Sequence, residues 1–352
     1  MDLLPGRLRR MILLATVGTI GWLGVLAAQD EPFQAQSKVV QVPVTVTGKD
    51  GRVVDGLTAQ DFNLLDNGVR QEVSLDDVSP DLAPVSLAIV IQTSKISSPA
   101  LAKLRSIGGM IQPLVSGARG QVAVVTFSNR IQWVQDFTAD DGKIREAMND
   151  LTPGLAMQDG RMLDAISVVA SHMEKRRGRK MLLVISESRD RGSETKAPQA
   201  LEAVERQGIE VFAAHYSAFK TNLIAKPKDL PDLSGPPEFP DDPTEPPDPP
   251  PSINFMAIFS ELARLGKTNS IQALTQATGG ADYPFLKESG IQSAIEKLGV
   301  EVHNQYILSF PQRDGAPGMH AIGVSVPARG DVRIRSRRAY WVDDPNRAAR
   351  GR

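Results

Sequence analysis

Val85-Ser86-Leu87-Ala88-Ile89-Val90-Ile91, followed by Gln92-Thr93-Ser94-Lys95-Ile96-Ser97, decides the fold. The first seven residues are almost all aliphatic and rich in β-branched types, with Pro84 before them. A run that apolar, without polar alternation, predicts a strand covered on both faces, as in the middle of a parallel sheet. The polar continuation then lies at the strand's carboxyl end, and Pro99 suits the first turn of a helix. In open α/β sheets this edge is where ligands bind.

Working outward, 121–127, 181–185 and 209–214 repeat the buried-strand pattern, and 131–137 suits a short edge strand. Helical periodicity lies between them, at 101–114, 138–151, 160–175 and 197–206, and resumes at 253–265, 269–277 and 286–300. Strands alternating with helices predict a parallel sheet with helices on both faces.

The two ends differ. Val40, Val42, Val44 and Val46 alternate with polar residues, and Pro43 predicts an edge position. Thr58-Ala59-Gln60-Asp61 suits one capped helical turn. Phe62–Leu65, the turn Asp66-Asn67-Gly68 and Val69–Leu75 form a predicted hairpin. The tail returns to strands at 306–310, 322–326, 332–336 and 339–342. The expected fold class is therefore α/β. It combines a Rossmann-like, doubly wound, mostly parallel sheet with a small β-sandwich built from N- and C-terminal strands. The expected divisions are a signal peptide over 1–28, sandwich portions over 38–80 and 305–342, and the α/β domain over 84–304.

Within that domain, 226–252 holds eleven of the chain's 25 prolines and seven acidic residues. Such a segment cannot bury enough apolar surface to order itself, and a solvated acidic insertion is expected. At the N-terminus, Arg7, Arg9 and Arg10 precede an apolar run over 11–26 and the small residues Ala27-Ala28. This is the pattern of a cleaved signal peptide, which predicts an extracytoplasmic (periplasmic or secreted) protein.

Composition excludes several chemistries. The 352 residues carry 40 Lys+Arg against 41 Asp+Glu, a formal net charge of -1, which gives no electrostatic case for a nucleic-acid partner. With no cysteine, disulfides, thiolate catalysis and zinc–thiolate sites are ruled out. The four histidines, His172, His215, His303 and His320, lack metal-ligand spacing. Gly266-Lys267-Thr268 resembles the end of a phosphate-binding loop, but Glu261 stands where its first glycine belongs. No catalytic nucleophile–base pair can be named, so a non-enzymatic protein is expected. Arg333, Arg335, Arg337 and Arg338 form a basic run that suits a solvated sheet face.

A set of segments carries a family resemblance: Gly56-Leu57-Thr58-Ala59-Gln60-Asp61-Phe62, Asp66-Asn67-Gly68, Val122-Ala123-Val124-Val125-Thr126-Phe127-Ser128, Leu163-Asp164-Ala165-Ile166, Leu183-Val184-Ile185-Ser186-Glu187, Ala277-Thr278-Gly279-Gly280 and Tyr306-Ile307-Leu308. In order and spacing the chain resembles the von Willebrand factor A (VWA) domain, in particular the secreted bacterial VWFA-related family. The resemblance implies a divalent-cation site, usually for magnesium, at the carboxyl edge of the sheet. Its ligands would come from an Asp-x-Ser-x-Ser segment, a Thr and a later Asp. Here those positions carry Gln92, Ser94, Ile96, Gly160 and Glu187. Hard cations want oxygen ligands with one or two carboxylates, and only Glu187 supplies one.

The expected function is thus a protein-binding or scaffold module with a degenerate metal site, no cofactor and an unidentified protein partner. Partner contact is expected around Gln92, Ser94, Lys95, Ser97, Asp159, Glu187 and Asp190. One alternative is a cation-dependent adhesin whose Mg2+ site is rebuilt from Asp159, Ser97 and Asp190. A secreted hydrolase is a third reading, with only localisation and abundant carboxylates behind it.

Overall fold

The structure is a computed structural model that describes residues 39–76, 84–94, 101–106, 108, 111, 120–154, 160–187, 190–216, 269–285, 289–312 and 316–344. The signal segment, the proline-rich insertion, the expected helix over 253–265 and Gly266-Lys267-Thr268 lie outside these residues, as do Lys95, Ile96, Ser97 and Asp159. Of the two units into which the chain divides, 1–36 and 37–352, the second holds every described residue.

The described chain opens with four strands, β1 (Val39–Gly48), β2 (Asn63–Asp66), β3 (Val69–Gln71) and β4 (Ser74–Asp76), with a 3₁₀ turn at Ala59–Asp61. The Asp61 carboxylate accepts the Thr58 N–H at 2.7 Å and closes that turn. The α/β portion follows as β5 (Val85–Gln92), β6 (Gln121–Phe127), β7 (Ile131–Thr138), α1 (Asp141–Asn149), α2 (Met162–His172), β8 (Arg179–Glu187), α3 (Ala197–Arg206), β9 (Ile209–Tyr216), α4 (Ser270–Thr278), β10 (Asp282–Phe285) and α5 (Ser289–Asn304). The chain ends on β11 (Tyr306–Pro311), β12 (Gly318–Ser325), β13 (Val332–Ser336) and β14 (Ala339–Val342).

The central sheet runs β10-β9-β8-β5-β6-β7, all parallel except the antiparallel edge strand β7. Counted from β5 as the first, this is the order 6-5-4-1-2-3 of a doubly wound fold. Every residue of β5 is buried. Leu87, Ile89 and Ile91 join Leu183, Ile185, Ile144 and Ile295 on one face of the sheet. Ala88 and Val90 join Val184, Ile166, Leu201 and Leu274 on the other. The unbroken apolar run therefore has its cause in two covered faces.

The terminal strands form two further four-stranded sheets, β13-β1-β11-β4 and β14-β12-β2-β3, which share one apolar cluster around Val42, Val44, Leu64, Leu308, Phe310 and Val324. N- and C-terminal strands pair directly: Val40 opposes Phe310 and Leu65 opposes Gly323. At Asn67 (φ 50°) and Gly68 (φ 81°) the backbone is left-handed, the geometry of the tight hairpin turn that Asn-Gly favours.

Three expectations need correction. The strand bearing Pro43 is interior to its sheet, because its two halves pair on different sides. Val39 to Val44 pair with β11, and β13 joins only from Val44 onward, so the strand keeps an open side beside Pro43. The segment 69–75 is two strands that pair in different sheets, β3 with β2 and β4 with β11. The basic run is a solvated face only at Arg333, which is exposed. Arg337 is buried and donates to Glu205 Oε2 at 2.7 Å, and half-buried Arg335 bonds to Glu301.

Those arginines belong to a buried polar layer at the amino edge of the central sheet. Arg179 at the start of β8 pairs with Glu210 of β9 at 3.6 Å and bonds to Gln305. Gln305 Nε2 donates to Glu210 at 2.6 Å, and Tyr283 donates to Glu301 at 2.7 Å. The terminal strands are thus fastened to one edge of the sheet, and the carboxyl edge lies at the other. Among the described residues no helix is long and apolar enough to cross a membrane.

Candidate functional site at the carboxyl edge of the sheet

The strand order reverses between β5 and β8, and in doubly wound sheets the crevice outside this switch point is the usual ligand site. Gln92 ends β5 and Glu187 ends β8. The Gln92 side chain spans the crevice between them. Its Oε1 accepts the Glu187 backbone N–H at 2.8 Å, and its Nε2 donates to Ser94 Oγ at 3.0 Å. All three residues are buried, Ser94 completely. The structure therefore brings together Gln92, Ser94 and Glu187 of the expected site.

Gly160 lies against the same amide. A Cβ added there would stand 2.9 Å from Gln92 Nε2 and 3.3 Å from its Cδ, closer than side chains pack. The carboxamide thus fills the space that a side chain at position 160 would need. The Gly160 backbone forms an isolated antiparallel bridge with Arg191, with both N–H···O distances 3.0 Å. Arg191 Nε in turn lies 3.8 Å from Glu187 Oε2.

Asp190 belongs to a neighbouring arrangement. Its carboxylate accepts the Leu163 N–H at 3.0 Å and the Ser193 hydroxyl at 2.6 Å, capping the start of α2 from a distant loop. Asp164 works from the helix side. It accepts Arg161 Nε at 2.7 Å, the Thr195 N–H at 2.8 Å and the Glu194 N–H at 3.2 Å. Burial alone would raise this carboxyl, but the hydrogen bonds from Thr195, Arg161 and Glu194 outweigh it and hold it at about 2. Both carboxylates organise the loop over 190–195.

Among the described residues, the positions that the family resemblance assigns to a cation do not fit one. A hard cation needs converging oxygens with free lone pairs. Here an amide NH₂ points at Ser94, the amide oxygen is taken by the Glu187 N–H, Gly160 offers no side chain, and a guanidinium stands beside the single carboxylate.

An open cleft lies beside this closed crevice, at the ends of β5, β6 and β7. Its volume is about 550 Å³, and its lining includes Thr93, Ser128, Arg130, Trp133, Asp150 and Gly154. Backbone bonds knit its walls: the Thr93 N–H donates to Phe127 O at 2.9 Å, the Gly154 N–H donates to Thr93 O, and the Arg161 N–H donates to Ser128 O at 3.1 Å. The pairing of β6 with β7 shifts register twice, between Val122 and Val125. Such bulges re-aim side chains at sheet edges. Trp133 is backed by the His172 ring, 4.2 Å away, and His172 bonds to Asp136 at 3.1 Å. Asn129, Arg130 and Gln132 are exposed.

The sequence reasoning missed these cleft residues and Arg191. Arg191 had one available signal, its place four residues after Glu187, the only carboxylate among the positions that the resemblance assigns to a cation. The cleft residues had none, because they converge through the β6–β7 turn and the 150–154 segment.

No family model and no curated protein matches the chain. Solved structures do resemble it. The protein BatB from Bacteroides thetaiotaomicron is 15% identical over 61% of this chain and 99% of its own, with a TM-score of 0.38. An aerotolerance-related membrane protein from Bacteroides fragilis is 16% identical over 62% and 99%, also at 0.38. The VWA domain of SpRpn10 is 15% identical over 40% of this chain and 78% of its own, at 0.31. At such scores the likenesses carry no argument, and the fold rests on the strand order.

Proposed function

We propose that the chain is a non-enzymatic, extracytoplasmic protein-binding module of the VWA type that engages its partner without a metal ion. One observation carries the reading. The Gln92 side chain closes the crevice at the switch point, while an open polar cleft remains beside it. Gln92, Ser94 and Glu187 are buried, so a partner meets the exposed neighbours Asn129, Arg130 and Gln132. The extracytoplasmic setting rests on the N-terminal signal pattern.

The test is partner capture from an envelope fraction in buffer containing EDTA, followed by cross-linking of the captured protein to the cleft. Asn129→Ala/Arg130→Glu should abolish capture, and Val300→Ala, at an exposed position elsewhere, should leave it intact. Capture that requires Mg2+, or that survives the cleft variant, would refute the reading.

A further inference from the structure

We infer that the Gln92 carboxamide and the Arg191 guanidinium together take the place of a cation, forming a permanent, metal-free clamp across the β5/β8 switch point. The inference rests on the VWA-type reading only for where a cation would sit; the clamp itself is a matter of contacts.

Three segments far apart in the sequence converge at this point: the end of β5, the residues before α2, and the loop after β8. The contacts between them form a closed ring. Gln92 Oε1 holds the Glu187 N–H at 2.8 Å. The Glu187 carboxylate faces Arg191 at 3.8 Å. Arg191 is bridged in both directions to Gly160 through backbone bonds of 3.0 Å. Gly160 leaves the space in which the Gln92 amide lies.

Charge and volume both balance within the ring. One carboxylate faces one guanidinium, and the group spanning the crevice is neutral. A carboxylate at position 92 would put two negative charges at the crevice, which a cation would have to offset. A side chain at position 160 would collide with the amide, so a glutamine at 92 and a glycine at 160 complement each other. Two departures from the family pattern thus have a single cause, and the residue that completes them, Arg191, is one that the pattern does not mark.

The contacts decide what the clamp does. A metal-held edge loosens when the ion leaves, whereas this one needs no bound cation to stay organised. The adjoining cleft shares its wall through Thr93, the next residue after Gln92.

The experiment is a set of thermal melts on the mature chain. Gly160→Ala should lower the melting temperature by about 5 °C, because its Cβ displaces the amide. In a Gln92→Ala background, where the space is empty, the same change should cost little. Wild type should melt identically in 5 mM MgCl2 and in EDTA. Gln92→Asp/Arg191→Ala, which leaves two carboxylates and no guanidinium, should gain a saturable rise in melting temperature with Mg2+ that EDTA reverses.

Additive costs at 92 and 160, or a saturable Mg2+ shift in wild type, would overturn the clamp. So would a folded Gln92→Asp/Arg191→Ala chain that ignores Mg2+. If that variant does not fold, the cycle between 92 and 160 decides alone. The two proposals fail separately. Lost coupling with intact capture through Arg130 removes the clamp and leaves the binding module. Intact coupling with no capture does the reverse.

Discussion

At the scale of single residues, the carboxyl edge shows how little a residue's type says about its task. Asp164, Glu187 and Asp190 look alike in sequence, and each is committed to a different internal partner. Asp164 does the most, holding two backbone N–H groups and the Arg161 side chain. Asp164→Ala should therefore destabilise the protein by about 2–4 kcal/mol at pH 7, measured by urea unfolding. Its carboxyl stands at about 2, below the ordinary 3.8. A depressed value of this kind gives stability that is present above pH 3.8 and lost as the pH falls through 2. The variant should accordingly show a shallower acid limb than wild type, and an unchanged limb would mean that the loop over 190–195 does not depend on the charge.

At the scale of elements, local pattern sufficed wherever one physical cause dominated. The aliphatic run of β5 has two covered faces, so it could be nothing but a central strand. Ile89, fully buried between neighbouring strands, should cost about 2–5 kcal/mol when cut to Ala, read as a lower denaturation midpoint with an unchanged slope. Pattern failed where an element's neighbours come from far along the chain. Pro43 suggested an edge, but β1 gains its second partner, β13, from about 290 residues away, and only beyond the proline. Glu205, Arg335 and Arg337 were equally opaque, since a charged residue looks solvated until its partner is known. The strand β10, with Pro284 inside it, gave no strand signal at all. The site was legible in part. The sequence pointed to the switch point and to Gln92, Ser94 and Glu187, but not to the contacts that Gln92 makes there.

Glycines at element ends had a readable signal of a different kind. Gly279 ends α4 with φ 85°, the left-handed cap that glycine adopts without penalty. A Cβ there would lie 2.4 Å from the Arg337 backbone nitrogen. Gly279→Ala combines left-handed strain with a collision against main chain that cannot swing aside. The expected cost is about 2–4 kcal/mol by denaturant unfolding, more than strain alone would give.

At the scale of the whole molecule, the terminal strands and the α/β portion meet through buried charges. Arg337, between β13 and β14, reaches Glu205 of α3 and the Gln41 carbonyl of β1. Burial raises the Glu205 carboxyl, Arg337 opposes this, and the net result is about 7 against an ordinary 4.5. The folded chain therefore binds this proton more tightly than the unfolded chain does. The associated stability is fully present below pH 4.5 and is lost as the pH rises through 7. Between pH 5 and pH 8 the loss should be about 2–3 kcal/mol, seen as a falling midpoint of denaturant unfolding. Glu205→Gln keeps the shape, cannot ionise, and should flatten that slope. Because Glu205, Arg337 and Gln41 tie helix, tail and first strand together, both portions should unfold in one transition at every pH, by tryptophan fluorescence and circular dichroism alike. Two separated transitions in wild type would mean that the buried charges do not couple the layers. A single transition whose midpoint is flat with pH would mean instead that Arg337 keeps Glu205 ionised in the folded protein.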